Sequence, residues 1–272
     1  GGLHRFDPNS GAMEHFPLRE QTPRNTNQGI IQALHVTEAA PEIVWLGTGS
    51  MGMMRFDSAT GELRRYHQDP LSAHEVAPPR VVTSIVEESP ICFWITSPKG
   101  IYRFDPVAGR FLAHYEFRGL SSLVIDQDGR YWVSSGNSGL ARFFPGSGKF
   151  HVYLHSESNP QSLSDNRIRT LHLDRGGMIW AGLSASGLSV FNPQREWLRE
   201  HRFADARRNT EDPMIVLAML QDDENPELVW LGTTNGLFQW DRNNGDLVRC
   251  QHESEDVAGL SKIKVQNLSL RA

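Results

Sequence analysis

The sequence predicts an all-β fold made of repeated four-stranded antiparallel units, and three regularities support this prediction. A tryptophan recurs at intervals of 49, 38, 48 and 50 residues, at Trp45, Trp94, Trp132, Trp180 and Trp230. A glycine follows each of them at the next turn: Gly52, Gly100, Gly139, Gly187 and Gly236. The intervening segments are short runs of alternating apolar and polar residues, which are typical of strands, and helical periodicity never lasts beyond a turn or two.

One unit shows the pattern that the others repeat. We predict strands over 31–36, 44–48, 53–57 and 63–67, with turns at 39–42, 50–52 and 60–61, where Gly, Ser and Pro interrupt the apolar pattern. Four short strands joined by tight turns form an antiparallel meander.

The same meander recurs along the chain. Complete units are predicted over 29–67, 80–115, 118–153, 166–201 and 214–250. Residues 1–16 match only the second half of a unit, and 263–270 match only its first strand. The sequence thus contains about five complete units and one split or partial unit.

Repeats of this length indicate a β-propeller. A four-stranded sheet cannot bury both of its faces alone, but units stacked radially bury the faces between neighbours and leave only short edges. We therefore predict a single propeller region over 1–272, part of a larger propeller of, for example, seven blades. The recurring tryptophans are predicted to pack between blades, and Gly47, Gly182 and Gly232 are predicted to permit close approach there.

The repeat resembles the two-component regulator propeller repeat. Its pattern is clearest in Asn166-Arg167-Ile168, in the run from Asp174 to Gly182, in Gly187-Leu188 and in Phe191-Asn192-Pro193. Other copies vary it, as in VWLGT before Gly52 and FWITS before Gly100. The resemblance covers nearly the whole chain.

This resemblance implies a periplasmic sensing module of an inner-membrane receptor. In that family the propeller precedes a small β-sandwich, a transmembrane helix and a histidine kinase, and many members sense oligosaccharides. It also implies a homodimer, since related receptors tend to dimerise. These downstream parts are expected in the same polypeptide and are not present in this sequence.

Composition and motifs give no sign of chemistry. A formal net charge of −5 argues against nucleic-acid binding. Eleven histidines occur without metal-ligand spacing, and no nucleophile elbow or phosphate-binding loop is present. Asp126, Asp174 and Asp222 recur at the turn after the first strand and are interpreted as turn residues. We predict no catalytic residue, no metal site, no cofactor and no enzymatic activity for this region.

Ligand binding is predicted at one end of the blades, where the chain enters each first strand and where the second strand turns into the third. Near the entries lie Arg80, Arg118, Asn166 and Lys264. At the second turns lie Met51, Lys99, Asn137, Ser186 and Asn235. Such polar and basic groups suit sugar hydroxyls or an acidic sugar, although each residue taken singly also fits an ordinary solvated turn.

Two alternatives to a ligand-sensing propeller remain open at this point. One is a protein-interaction scaffold, which would present an exposed apolar or strongly charged face. The other is a lyase or glycan-cleaving enzyme on the same architecture, which would need a His and an acid converging on the loop end; the sequence does not assemble such a pair.

Overall fold

The computed structural model describes residues 3–6, 13–16, 30–37, 39–66, 76–159, 162–184, 187–194, 197–201, 214–222 and 224–250. Within these ranges the chain forms strands and turns and no helix. It divides into two compact units at Phe117 and Arg118, and each unit is described by itself.

The first unit contains a two-stranded ribbon and two four-stranded sheets. The ribbon comprises β1 (Leu3–Phe6) and β2 (Met13–Phe16). Blade I comprises β3 (Ile31–Thr37), β4 (Ala40–Thr48), β5 (Met53–Asp57) and β6 (Leu63–Tyr66). Blade II comprises β7 (Ser84–Ser89), β8 (Cys92–Ser97), β9 (Gly100–Asp105) and β10 (Arg110–Glu116).

The second unit contains three further sheets. Blade III comprises β11 (Leu120–Ile125), β12 (Tyr131–Ser135), β13 (Gly139–Phe144) and β14 (Lys149–Tyr153). Blade IV comprises β15 (Ile168–Leu173), β16 (Ile179–Leu183), β17 (Leu188–Asn192) and β18 (Trp197–His201). Blade V comprises β19 (Val216–Gln221), β20 (Leu228–Thr233), β21 (Gly236–Asp241) and β22 (Leu247–Arg249).

The predicted fold class is confirmed. All five four-stranded sheets are antiparallel meanders in which each strand pairs with its neighbour in the sequence. Within each unit the first strands of consecutive blades lie next to one another: β3 beside β7, β11 beside β15, and β15 beside β19. This is the packing of propeller blades. The first strand predicted over 263–270 lies outside the described residues.

One strand differs from its prediction. β4 begins at Ala40, whereas the sequence predicted a turn over 39–42 and a strand from Val44. Thr37 pairs directly with Ala40, so the connection between β3 and β4 is a tight hairpin turn and leaves no room for a longer loop.

Three of the five recurring tryptophans, Trp45, Trp132 and Trp180, pack between blades, as predicted. A tryptophan on the second strand meets an aromatic ring on the third strand of the following blade, four residues after the recurring glycine. Ring centroids lie 5.7 Å apart for Trp45 and Phe104, 4.7 Å for Trp132 and Phe191, and 5.1 Å for Trp180 and Trp240. Trp94 is buried beside Tyr115 of its own blade.

Close approach between blades is confirmed at two of the predicted glycines. A Cβ atom at Gly47 would lie 2.5 Å from Val82, which leads into blade II. A Cβ atom at Gly182 would lie 3.0 Å from Val216 of blade V. Both distances are shorter than van der Waals contact, so a larger residue at either position would push the adjacent blade away.

An acid on the first-to-second strand connection fixes each of the three recurring tryptophans of the second unit. The indole Nε1 donates to the acid at 2.9 Å in Trp132–Asp126, 2.8 Å in Trp180–Asp174 and 3.0 Å in Trp230–Asp222. The other carboxylate oxygen accepts backbone N–H groups of the turn, which confirms these aspartates as turn residues. The hydrogen bond from Trp230 contributes most to lowering the pKa of Asp222.

First strands of two blades carry a histidine opposite the blade's own tryptophan. In blade I, His35 Nε2 donates to Glu87 of blade II at 2.8 Å. In blade IV, Nε2 of His172 is fully buried and has no hydrogen-bond partner among the described residues. Burial lowers the pKa of His172 to about 4. The charge of Arg242 adds to this lowering, whereas the charge of the nearby Asp174 opposes it.

We expect His172 to make the fold sensitive to acid. In the unfolded chain the pKa of His172 is near 6.5. Between about pH 6.5 and 4 the imidazole is therefore protonated in the unfolded chain and neutral in the folded chain. The free energy of unfolding should therefore fall as the pH drops through this window, by at most about 3 kcal/mol, and stay constant above it. Chemical denaturation at several pH values measures this slope.

The variant His172→Phe should flatten the slope relative to the unchanged protein, whereas His151→Gln, at an exposed histidine, should leave it as it is. Comparing the variants removes the contribution of the carboxylates, which titrate in all of them. Equal slopes for all three proteins would contradict the assignment.

Candidate functional site

The predicted binding residues lie at one end of the blades, which we call the loop face. It consists of the chain entering each first strand and the turn from the second to the third strand. Backbone hydrogen bonds tie the two together within a blade: Gly49 N to Ile30 O at 3.0 Å, Gly136 N to Gly119 O at 3.0 Å, Ser184 N to Arg167 O at 3.0 Å, and Thr234 N to Ile215 O at 3.1 Å.

The same face is also tied from one blade to the next within a unit. In blade I the N–H of Gly52 donates to the carbonyl of Arg80, at the entry to blade II, at 2.8 Å. In blade III the N–H of Gly139 donates to the carbonyl of Asn166, at the entry to blade IV, at 2.9 Å. Gly52 has a positive φ of 77° and lies against Pro79 O, so a Cβ atom would disrupt this approach.

In three blades the turn is held from inside by a hydroxyl at the end of the second strand. Thr48 Oγ1 accepts from Met51 N at 2.9 Å, Ser135 Oγ from Ser138 N at 3.2 Å, and Thr233 Oγ1 from Asn235 N at 3.0 Å. The backbone donors of these turns are therefore satisfied by the protein itself, so their conformation does not depend on a ligand.

A side chain on the fourth strand reaches the same turns in three blades. Arg65 Nε donates to Met51 O at 2.7 Å, and Arg249 donates to Asn235 O at 2.7 Å. His114 Nε2 lies 3.3 Å from Lys99 O. The turns of the loop face are thus fixed by their own blade, by the preceding hydroxyl and by the outer strand.

The structure places seven of the nine predicted residues on this face. The side chains of Arg80, Lys99, Arg118 and Asn137 are exposed, and those of Asn166 and Asn235 are partly exposed. Met51 must be corrected: its side chain is only 5% exposed, because the thioether packs in the apolar cluster with Leu46, Met54 and Phe56. Ser186 and Lys264 lie outside the described residues.

The entry to blade IV carries the most ordered polar groups. Asn166 Oδ1 accepts from His155 N at 2.6 Å and so ties the preceding loop to the entry. Arg167 binds both carboxylate oxygens of Asp165. Burial alone would raise the pKa of Asp165, but the hydrogen bonds from Arg167 outweigh burial and lower it. Asp165 is therefore held as a carboxylate.

Sequence reasoning missed a row of side chains on the first strands. A β-bulge interrupts the pairing of the first and second strands at the same place in four blades, and the extra residues are Gln32, Ser121, Arg169 and Leu217. We call these residues the bulge row. The register of the backbone hydrogen bonds reveals them.

Metal ligands do not cluster in the described part of the chain. No group of three or more His, Cys, Asp or Glu side chains there has the spacing to hold a metal ion.

No family model matches the sequence, and no curated protein is significantly similar to it. Solved structures do match. The extracellular domain of a B. thetaiotaomicron protein assigned as a hybrid two-component system is 18% identical with a TM-score of 0.69, covering 96% of this chain and 34% of that one. A second such domain, from an assigned one-component system of the same organism, is 18% identical with a TM-score of 0.53, covering 92% and 39%.

An enzyme shares the architecture as well. Virginiamycin B lyase from Staphylococcus aureus, as an inactive variant with quinupristin, is 11% identical with a TM-score of 0.58, covering 86% of this chain and 73% of that one. At these identities the likeness establishes the fold. The chain thus has the propeller fold of extracellular domains of two-component systems, which confirms the predicted resemblance at the level of fold, and it spans well under half the length of those domains. The described residues contain no helix that could span a membrane.

Proposed function

We propose that this chain is a ligand-sensing propeller segment of an extracytoplasmic receptor domain, and that its loop face binds a small molecule or an oligosaccharide. The observation that carries the proposal is the rigid loop face, where turns and blade entries are tied together by backbone hydrogen bonds such as Gly52 N to Arg80 O. Because these turns are already ordered, binding a ligand through their exposed polar side chains does not cost the conformational entropy of ordering a loop.

The receptor assignment follows from the neighbours in fold. Extracellular domains of two-component and one-component systems cover almost all of this chain. We infer an extracytoplasmic location, kinase modules elsewhere in the same polypeptide, and a homodimer as in related receptors. We propose binding without turnover.

Calorimetric titration with an oligosaccharide panel tests the proposal. We expect at least one oligosaccharide to bind. Arg118→Ala or Asn137→Ala should weaken its binding by about 10-fold or more, because each variant removes a protein group that hydrogen-bonds a sugar hydroxyl. Arg80→Ala and Lys99→Ala test the first unit separately.

A matched control is Asn243→Ala, at an exposed asparagine in the third-to-fourth strand turn at the opposite end of blade V. It should leave binding unchanged. Failure of every oligosaccharide and small molecule to bind would contradict the proposal and favour a protein-interaction scaffold. Cleavage of a bound sugar on long incubation would favour the enzymatic alternative.

A further inference from the structure

The bulge row lies at the loop face and against the end of the second strand. Gln32 Nε2 lies within 3.2 Å of where a Cβ atom of Gly49 would be. Ser121 Oγ hydrogen-bonds Ser134 Oγ at 2.9 Å, and Arg169 Nε donates to Ser184 Oγ at 2.8 Å. Gln32, Ser121 and Arg169 therefore leave the sheet at the loop face, where Ser121 also contacts blade IV.

Residue type separates this row from the scaffold. Positions that pack between blades repeat the same chemistry in every unit, as the tryptophans and the recurring glycines do. The bulge row instead holds an amide, a hydroxyl, a guanidinium and an isobutyl group. Since the same backbone geometry accepts all four, packing does not dictate their identity. Bulges commonly re-aim a side chain beside a functional site.

In the second unit the described part of the loop face presents two arginines without an ion-pair partner. Arg118 and Arg169 are exposed, and neither forms an ion pair within the described residues. Among the described side chains at the entry to blade IV, Asp165 is bound by Arg167 and Glu157 is exposed. The other described acids of this unit lie mainly at the opposite end, in the turns at Asp126, Asp174, Asp222 and Asp241.

Arg118 and Arg169 belong to linked segments. Ser121 lies three residues after Arg118, and its hydroxyl donates to the carbonyl of Ile168 at 3.0 Å, directly before Arg169. The Nε of Arg169 is engaged by Ser184, so the guanidinium is oriented and its two terminal nitrogens remain available. A planar pair of N–H donors matches a carboxylate or sulfate group.

The geometry points to Arg169, presented by the bulge of blade IV, as the residue that binds an anionic group of the ligand, with Arg118 adding charge nearby. The ligand class is accordingly an acidic oligosaccharide, bearing uronate or sulfate groups. This inference rests on the proposed ligand-binding function of the loop face. The aromatic side chains point the same way, since no Trp or Tyr whose side chain the structure describes is exposed for stacking on a neutral sugar ring.

Calorimetry with matched probes tests the inference: uronate and sulfated oligosaccharides, each beside its methyl-esterified or desulfated counterpart. We expect the acidic member of at least one pair to bind about 10-fold or more tightly, with an affinity that falls as NaCl rises from 20 to 200 mM. Arg169→Gln should weaken binding of that acid by about 10- to 100-fold, and Arg169→Lys should weaken it less.

The control is Arg110→Gln, which removes an exposed arginine at the start of β10, at the other end of a blade. It should leave affinity unchanged, and thermal melts should show all variants folded. Equal binding of the neutral member, or full affinity in Arg169→Gln, would overturn the anionic subsite while the loop face still binds sugars. If no member of any pair binds, this inference fails, and the wider panel of oligosaccharides and small molecules decides whether the proposed function fails with it.

Discussion

Replacing Trp132 by alanine is expected to lower the free energy of unfolding by about 3–5 kcal/mol, because a fully buried aromatic side chain leaves both a cavity and an unpaired partner. The indole is 0% exposed, its ring meets Phe191 of the next blade, and its Nε1 donates to the buried Asp126. The substitution therefore opens the contact between blades III and IV and leaves a buried carboxylate oxygen without its donor.

Chemical denaturation followed by tryptophan fluorescence and circular dichroism measures the loss. Trp132→Phe separates the two causes: it keeps most of the apolar contact with Phe191 and removes the hydrogen bond, so we expect a smaller loss of about 1–3 kcal/mol. Phe144→Ala is the control, at an aromatic side chain that is 36% exposed on the neighbouring strand. If Trp132→Ala cost no more than Phe144→Ala, the tryptophans would not hold the blades together.

The fold could be predicted because its main determinants are local and recur. A strand pattern, a turn glycine and a tryptophan are each weak signals, but five copies at a nearly constant interval define the blades. An aromatic partner also repeats for three of the tryptophans, at Phe104, Phe191 and Trp240, although it belongs to the following blade. Its role emerged only when the blades were placed side by side.

Other features were outside the reach of the sequence pattern. Asp126, Asp174 and Asp222 were recognised as turn residues, which requires one carboxylate oxygen to accept the N–H groups of the turn. Nothing in the local sequence indicates that the other oxygen accepts from an indole. The start of β4 at Ala40 was missed because the composition of Ala39–Glu42 favours a turn over the start of a strand. Tertiary pairing with Thr37 decided the boundary.

The candidate site was predicted less completely than the fold. Topology alone places entries and second turns at one end of a blade, so Arg80, Arg118 and Asn137 could be named from the sequence. Whether a side chain at that end faces solvent depends on its neighbours. Met51 is at that end but is buried, because its side chain packs in an apolar cluster. Arg169 escaped notice because its exposure comes from a bulge in the backbone.

Gly100→Ala is expected to destabilise the first unit by about 2–6 kcal/mol, through two additive causes. The residue has a φ of 148°, a region in which side chains cost roughly 1–3 kcal/mol. A Cβ atom there would lie 2.1 Å from the carbonyl oxygen of Tyr115 on the fourth strand, so β10 must move away from β9. Displacing a packed strand adds about 1–3 kcal/mol.

The matched control is Gly61→Ala, at a glycine with a φ of 77° and no atom within 4 Å of the added Cβ. It carries the cost of positive φ alone and should lose about 1–2 kcal/mol. The difference between the two variants, measured by chemical denaturation, isolates the close approach of the fourth strand. Because His114 on that strand reaches the turn at Lys99, Gly100→Ala should also loosen the loop face of blade II, seen as faster amide exchange over residues 97–100. Equal losses for the two glycines, with unchanged exchange at that turn, would mean that the fourth strand does not brace the loop face.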